Sequence, residues 1–221
     1  MSNIKMNLKD SETAKAWIKN YESKNDNYRV KYLEPYIKKV INKVHNNSKI
    51  LDIGCGWGMV TKFIKPFQEY TGIDINKNFF RYILKNQSKK KIKLLEGKLP
   101  EKINVKDNYF NLVICSMTIH STPKIKKDIQ VLFKKAKKSG KVVIIDFKNS
   151  AEKILRKTCV KKKKETKDYI KGIYTLPSGI EVYSETYFFK EKEYETEIKK
   201  YGKFKKVNVG PIFVAYECTK N

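Results

Sequence analysis

The residues richest in chemistry lie in two short stretches. The first, Ile50-Leu51-Asp52-Ile53-Gly54-Cys55-Gly56-Trp57-Gly58, is an apolar run that ends in alternating glycines. A glycine turn lets a ligand approach bare backbone, because a Cβ would clash with the ligand or forbid the angles of a tight turn. The second, Tyr70-Thr71-Gly72-Ile73-Asp74-Ile75, ends in an acid. Asp74 follows Asp52 by about 20 positions, the separation at which adjacent parallel strands bring a carboxylate to a bound ribose. It can accept from both ribose hydroxyls, with Ile75 packing against the adenine. Dinucleotide sites use the same devices. Two features point elsewhere. The glycines follow GxGxG, with Met59 where the dinucleotide fingerprint has its third glycine. Asp52 sits inside the strand, where a carboxylate would repel a pyrophosphate but attract the ammonium of an amino-acid moiety, directly or through water.

Such a turn needs a buried strand before it and a helix after it. Short apolar runs at Ile50–Ile53, Tyr70–Ile75, Ile92–Leu95, Phe110–Ser116 and Lys141–Phe147 alternate with segments long enough for helices, which predicts βαβ units and a parallel sheet. Two helices are predicted before the first strand, from Ser11 to about Val44, where apolar residues recur at three- and four-residue spacings. After Phe147 the rhythm changes. Residues 151–167 read as a lysine-rich helix, Ile173–Leu176 and Ile180–Tyr187 as a hairpin around Pro177, Ser178 and Gly179, and Glu191–Tyr201 as a helix stopped by Gly202. Strands are expected at Lys206–Val209 and Ile212–Cys218. The division expected is one domain, 1–221, with a helical cap (1–48), a ligand-binding core (49–148) and an acceptor-side part (149–221).

On these motifs the chain resembles the class I S-adenosylmethionine (SAM)-dependent methyltransferases, especially the group that includes ubiquinone- and menaquinone-pathway enzymes. The resemblance covers about Tyr21 to Phe147 and includes Asp107-Asn108-Tyr109-Phe110-Asn111-Leu112-Val113, similar to the family's segment entering strand four, with Asn111 in place of the usual aspartate. It implies a Rossmann-like α/β fold: a mainly parallel seven-stranded sheet, its last strand antiparallel, with helices on both faces. It also implies SAM as cofactor, held by Asp52, Gly54, Cys55, Gly56, Gly58, Asp74 and Ile75 and lined by Ser116 and Met117. The loop Ile119-His120-Ser121 would face the acceptor. Where the family has a Gly-Asp pair this chain has Gly97-Lys98-Leu99, so Lys98 and Leu99 would serve adenine through backbone, or Glu96 would substitute. The Asn/Asp-Pro-Pro-Tyr/Phe signature of amino-methyltransferases is replaced by Ser116-Met117-Thr118-Ile119, which argues against adenine and glutamine-amide acceptors.

His120 is the candidate general base, since an ordinary imidazole titrates in the right range; the alternative is a loop histidine that fills space. Tyr21 and Trp17 are candidates to cap the cofactor, or else core residues of helices. Trp57 is expected to pack beneath the glycine loop. Cys115 and Cys218 read as small buried hydrophobes rather than a disulfide framework, and with only His45 and His120 available no metal is expected. No stretch approaches the ~20 apolar residues of a membrane span. A cytoplasmic protein is expected.

The net charge of +26 over 221 residues invites a polyanion partner. Only Arg29, Arg81 and Arg156 of the 49 basic residues are arginines, whereas base reading and phosphate clamps favour the arginine fork. Lys161-Lys162-Lys163-Lys164, beside Arg156, Lys157 and the tyrosine-bearing hairpin (Tyr174, Tyr183, Tyr187), reads as a solvated helix face or as an RNA platform. The leading expectation is methyl transfer to a small-molecule or lipid-like acceptor. The alternatives are an RNA methyltransferase, with tRNA a candidate, and a SAM-binding partner subunit without turnover.

Overall fold

The computed structural model describes residues 8–87, 91–176 and 178–221. Helix α1 (Ser11–Ser23) starts where the Asp10 carboxylate accepts the Thr13 N–H at 2.6 Å, an N-cap, and ends at Lys24 in the left-handed region. A π-helical turn (Arg29–Leu33) leads into α2 (Glu34–Asn42). The strands and helices β1 (Lys49–Ile53), β2 (Glu69–Asp74), α3 (Asn78–Asn86), β3 (Lys91–Glu96), β4 (Phe110–Ser116), α4 (Ile125–Lys135) and β5 (Ala136–Phe147) then alternate as the apolar runs require. The last part holds α5 (Glu152–Thr158), β6 (Cys159–Thr166), β7 (Tyr169–Thr175), β8 (Glu181–Tyr187), α6 (Glu191–Ile198), β9 (Gly202–Val209) and β10 (Phe213–Lys220).

The main sheet has seven strands in the order β3-β2-β1-β4-β5-β10-β9. From β3 to β5 all pairs are parallel, and β10 is antiparallel to both its neighbours. This is the expected Rossmann-like α/β sheet with one reversed strand. Strand order reverses between β1 and β4, so the crevice at a topological switch point opens beyond their carboxyl ends. Asn111, standing where the resemblance leads one to expect an aspartate, accepts the Lys49 N–H at 3.0 Å and ties the start of β4 to β1. An amide oxygen does this as well as a carboxylate.

Alternate residues of the central strands feed two cores. Leu51, Val113, Cys115 and Ile144 pack against Ile129 and Leu132 of α4 and Ile198 of α6. Ile50, Leu112, Ile114 and Val143 pack against Ile37 and Ile41 of α2 and Ile83 of α3. This two-sided burial explains why these strands read as continuous apolar runs. All four cysteines are free and buried.

The lysine-rich stretch differs from expectation. Its helix ends at Thr158, and Lys161–Lys164 lie in β6, the edge of a three-stranded antiparallel sheet β6-β7-β8. Only Cys159 of that strand is buried. A helix there would have no apolar stripe to bury, whereas pairing with β7 satisfies the backbone and lysines discourage further strand addition. The hairpin forms as β7 and β8; Pro177 of its turn lies outside the described residues. Gly202 opens β9 rather than merely stopping α6. The small sheet buries Cys159, Ile170, Tyr174 and Val182 against Ala16 and Trp17 of α1. Among the described residues no helix is long and apolar enough to cross a membrane.

Candidate active site

Gly54, Gly56 and Gly58 all adopt positive φ, +77°, +48° and +85°, where a side chain is strained. A Cβ on Gly54 would fall inside the Thr118 side chain, whereas one on Gly56 would meet no atom of the described residues within 4 Å. Gly54 is therefore glycine because β4's exit packs on it, and among the described residues nothing covers Gly56. The Gly54 and Cys55 N–H groups both donate to the Ile73 carbonyl, at 2.7 and 3.0 Å, which holds the loop against β2. The segment after it is a 3-10 turn, Met59–Phe63, rather than the expected full helix.

Asp74 ends β2 half-buried. Its Oδ2 accepts the Gly56 N–H and its Oδ1 the Asn76 N–H, both at 2.8 Å. Burial raises this carboxyl, and the backbone donors oppose the rise. Asn76, 1% exposed, donates in turn to the carbonyls of Leu8 and Asp10, both at 2.9 Å, so the start of α1 is strapped across the β2 end. Asp52 is buried within the sheet and accepts the Tyr70 hydroxyl at 2.7 Å. Burial pushes its carboxyl up to about 7, the Tyr70 bond opposes this, and Asp74's charge adds to it. Burial likewise pushes the Cys55 thiol well up.

Beyond β4, Ser116 is 8% exposed and its hydroxyl has no partner among the described residues, an orphaned polar atom at the strand's carboxyl end. Met117 takes φ +56°, a left-handed conformation rare for such a residue. Thr118 then turns onto Gly54. His120, in the 3-10 turn Ile119–Ser121, meets Asp146 at the end of β5: its Nδ1 lies 2.7 Å from Oδ1 and its backbone N–H donates to Oδ2 at 3.1 Å. Tyr194 of α6 donates to the same Oδ2 at 2.9 Å and the Phe147 N–H to Oδ1 at 2.8 Å. The pocket beside this pair encloses about 20 Å³.

A family model described as a methyltransferase domain matches residues 44–204, which hold the five parallel strands β1 to β5 and the small sheet, with β10 and most of β9 beyond it. The chain belongs to this family. In sequence, the chain is 29% identical over 134 residues to the hybrid PKS-NRPS synthetase pydA of Acremonium sp.; the match takes in 55% of this chain and only 3% of that much larger protein. In fold it is similar to the PH0226 protein of Pyrococcus horikoshii OT3, at TM-score 0.68 and 18% identity, covering 87% of this chain and 90% of that one. It is also similar to a SAM-dependent methyltransferase of Aquifex aeolicus, at TM-score 0.64 and 17% identity, covering 96% and 99%.

The glycine loop, Asp52, Asp74, Ile75, Ser116 and Met117 come together at the carboxyl ends of β1, β2 and β4. Tyr21 packs its ring on Trp57 at 5.4 Å and meets Tyr82 edge-on at 6.4 Å. Trp57 also stacks on Trp17 at 5.8 Å, so Trp17 joins the glycine loop to the small sheet. Lys98 is exposed and its N–H is committed to the Lys102 carbonyl at 3.2 Å, while the Leu99 side chain turns into the core with Ile103. Sequence reasoning missed Tyr70, Thr118, Asp146 and Tyr194. Asp146 had a signal: like Asp52, it stands one residue before the end of an apolar strand. Tyr194 had none, because only the packing of α6 against β5 brings it there.

Proposed function

We propose that this methyltransferase takes its methyl group from SAM and passes it to a small-molecule or lipid-like acceptor. The observation that carries this reading is the buried Ser116 hydroxyl, which has no partner among the described residues, beside a glycine loop whose Gly56 no described residue covers. An orphaned buried hydroxyl costs about 1–3 kcal/mol, and a bound ligand relieves it. The residues fit the cofactor. Asp74 keeps acceptor capacity for the ribose hydroxyls, since each carboxylate oxygen has two lone pairs. Ile75 packs on adenine, with the backbone at Lys98 and Leu99 near its edge. Asp52 takes the ammonium, and Gly54, Cys55, Gly56, Gly58 and Met117 form the backbone cradle. Tyr21, through Trp57, closes the outer side.

When bound, the cofactor supplies an activated methyl carbon on a sulfonium. The chain's residues align the acceptor and exclude water, which suffices for most of a direct displacement. Trp17 and the small sheet supply that cover. A small acceptor is favoured over RNA because the lysine run is partly neutralised internally, Lys162 by Glu165 at 2.8 Å and Lys161 by Glu181 at 3.7 Å. Four buried thiols suit a reducing compartment, and we place the protein in the cytoplasm. The whole chain acts as one unit, 1–48 capping, 49–148 holding the cofactor and 149–221 facing the acceptor.

The test is transfer of labelled methyl from SAM to fractionated metabolites and, separately, to RNA. Uptake by metabolites supports this reading. Uptake by RNA, with binding that weakens steeply in salt, replaces it with an RNA methyltransferase. Tight SAM binding without transfer to any fraction, together with a captured partner, makes the chain a regulatory subunit.

A further inference from the structure

His120 and Asp146 form a pair that alignment of a cofactor does not require. Asp146 is 1% exposed and engages four groups: Nδ1 and the backbone N–H of His120, the Phe147 N–H and the Tyr194 hydroxyl. So many donors hold a carboxylate in one orientation, and a carboxylate at Nδ1 fixes the imidazole as the Nδ1–H tautomer. Nε2 is then the basic nitrogen, and among the described residues it has no protein partner. The side chain is 12% exposed and lines the small pocket.

The pocket's other walls name the kind of molecule that fits. Phe147, Tyr187, Phe188 and Phe189 make it apolar and aromatic, with Lys148, Glu152 and Lys190 as its charged members. Lys190 and Glu152 face one another at 3.4 Å, and Lys148 donates to the Gly210 carbonyl. Space of about 20 Å³ holds little more than one water. The connection 188–190 between β8 and α6 must therefore move to admit an acceptor. His120 follows Thr118 by two residues, and Thr118 packs on Gly54, so base and glycine loop share one wall.

We propose that His120 is the catalytic base of an O-methylation, with Asp146 and Tyr194 as its positioning residues, and that the acceptor is a hydroxyl on an apolar small molecule. The proposal rests on the SAM reading above. The hydroxyl proton passes to Nε2 while the acceptor oxygen bonds to the methyl carbon. The carbon–sulfur bond breaks and its electron pair stays on sulfur, leaving a neutral thioether; the imidazolium then yields its proton to solvent. An amine acceptor does not need this, because it attacks as a neutral base and sheds its proton afterwards.

Two measurements on the full chain test this. His45 and His120 are its only histidines, so a nitrogen-15 histidine spectrum assigned with His45→Gln reads the tautomer directly. We expect Nδ1–H for His120, with an Asp146→Asn variant shifting it toward Nε2–H if it folds by thermal melt. The second incubates labelled SAM with catechol, benzoate or benzylamine as hydroxyl, carboxylate and amine probes. Label should enter catechol, and His120→Gln should slow that transfer about a hundredfold, the low end of general-base effects, while SAM affinity holds within about twofold. A wild-type Nε2–H tautomer, label entering benzylamine or benzoate instead, or an unslowed His120→Gln enzyme overturns the proposal. With no transfer to any probe, the tautomer alone decides. Absence of SAM binding in calorimetry is a separate failure, of the cofactor reading itself.

Discussion

Tyr70 gives its hydroxyl hydrogen to Asp52 across 2.7 Å inside the buried face of the sheet. The bond exists because Gly72 lies opposite Asp52 in the β1–β2 register, and a Cβ there would stand 2.9 Å from the Tyr70 ring and 3.0 Å from Cys55 Sγ. Burial pushes the Asp52 carboxyl up to about 7, so near neutrality it gains or loses a proton according to what binds it.

SAM binding is therefore expected to depend on pH. An ammonium needs the ionised carboxylate, so affinity should fall about tenfold per pH unit below about 7 and level off above it. Calorimetry in buffers of differing ionisation heat should show proton release on binding at pH 6. Tyr70→Phe removes a donor to the ionised form and should move this dependence to higher pH, weakening binding at pH 7 by about tenfold. A flat profile between pH 5.5 and 8 would place the ammonium elsewhere.

Stability should carry the same signature at a second site. Asp128 is fully buried beneath Thr122, and burial pushes its carboxyl up to about 6. Between about pH 4 and 6 the folded chain keeps a proton there that the unfolded chain has lost, so the Asp128 contribution declines as pH rises and is flat above. Asp128→Asn should gain on wild type by about 1–3 kcal/mol between pH 4.5 and 7.5, read as urea midpoints. An advantage that does not grow with pH would contradict this.

The two inner glycines should fail differently. Gly54→Ala forces a side chain into Thr118 at φ +77° and should cost about 2–4 kcal/mol of fold stability. Gly56→Ala meets no atom of the described residues and should cost only about 1 kcal/mol, yet place a methyl in the ligand's space and weaken SAM binding at least tenfold. Thermal melts and calorimetry on both variants separate the two effects. Equal loss of stability in both would mean that Gly56 serves the fold alone.

Trp17 and Trp57, the chain's two tryptophans, stack on one another beside the loop. SAM should change their fluorescence, and Trp17→Ala should raise its dissociation rate several-fold by loosening the cover. An unaltered rate in stopped flow would assign Trp17 to packing of the small sheet.

The parallel strands and the glycine loop were legible because each rests on local pattern: apolar runs buried on both faces, and glycines where φ is positive. What was not legible depends on pairing. Nothing local in Lys161–Lys164 marks a strand; β7 makes it one. Asn76 reveals its strap to Leu8 and Asp10 only once α1 is laid over β2. The His120–Asp146–Tyr194 group joins three segments that are distant in sequence, and the sequence offered just the histidine.

The central claim, a SAM site built on Asp74 and the glycine loop, is met most directly by titrating SAM and NAD into the wild-type chain and Asp74→Asn in a calorimeter. Asparagine keeps an oxygen for the Gly56 or Asn76 N–H but loses the charge that holds the ribose. The expected result is saturable SAM binding with no heat from NAD, and a loss of about 1.5–3 kcal/mol in the variant, roughly ten- to a hundredfold in Kd. Binding of NAD instead of SAM, or equal SAM affinity in a well-folded Asp74→Asn protein, would contradict the account.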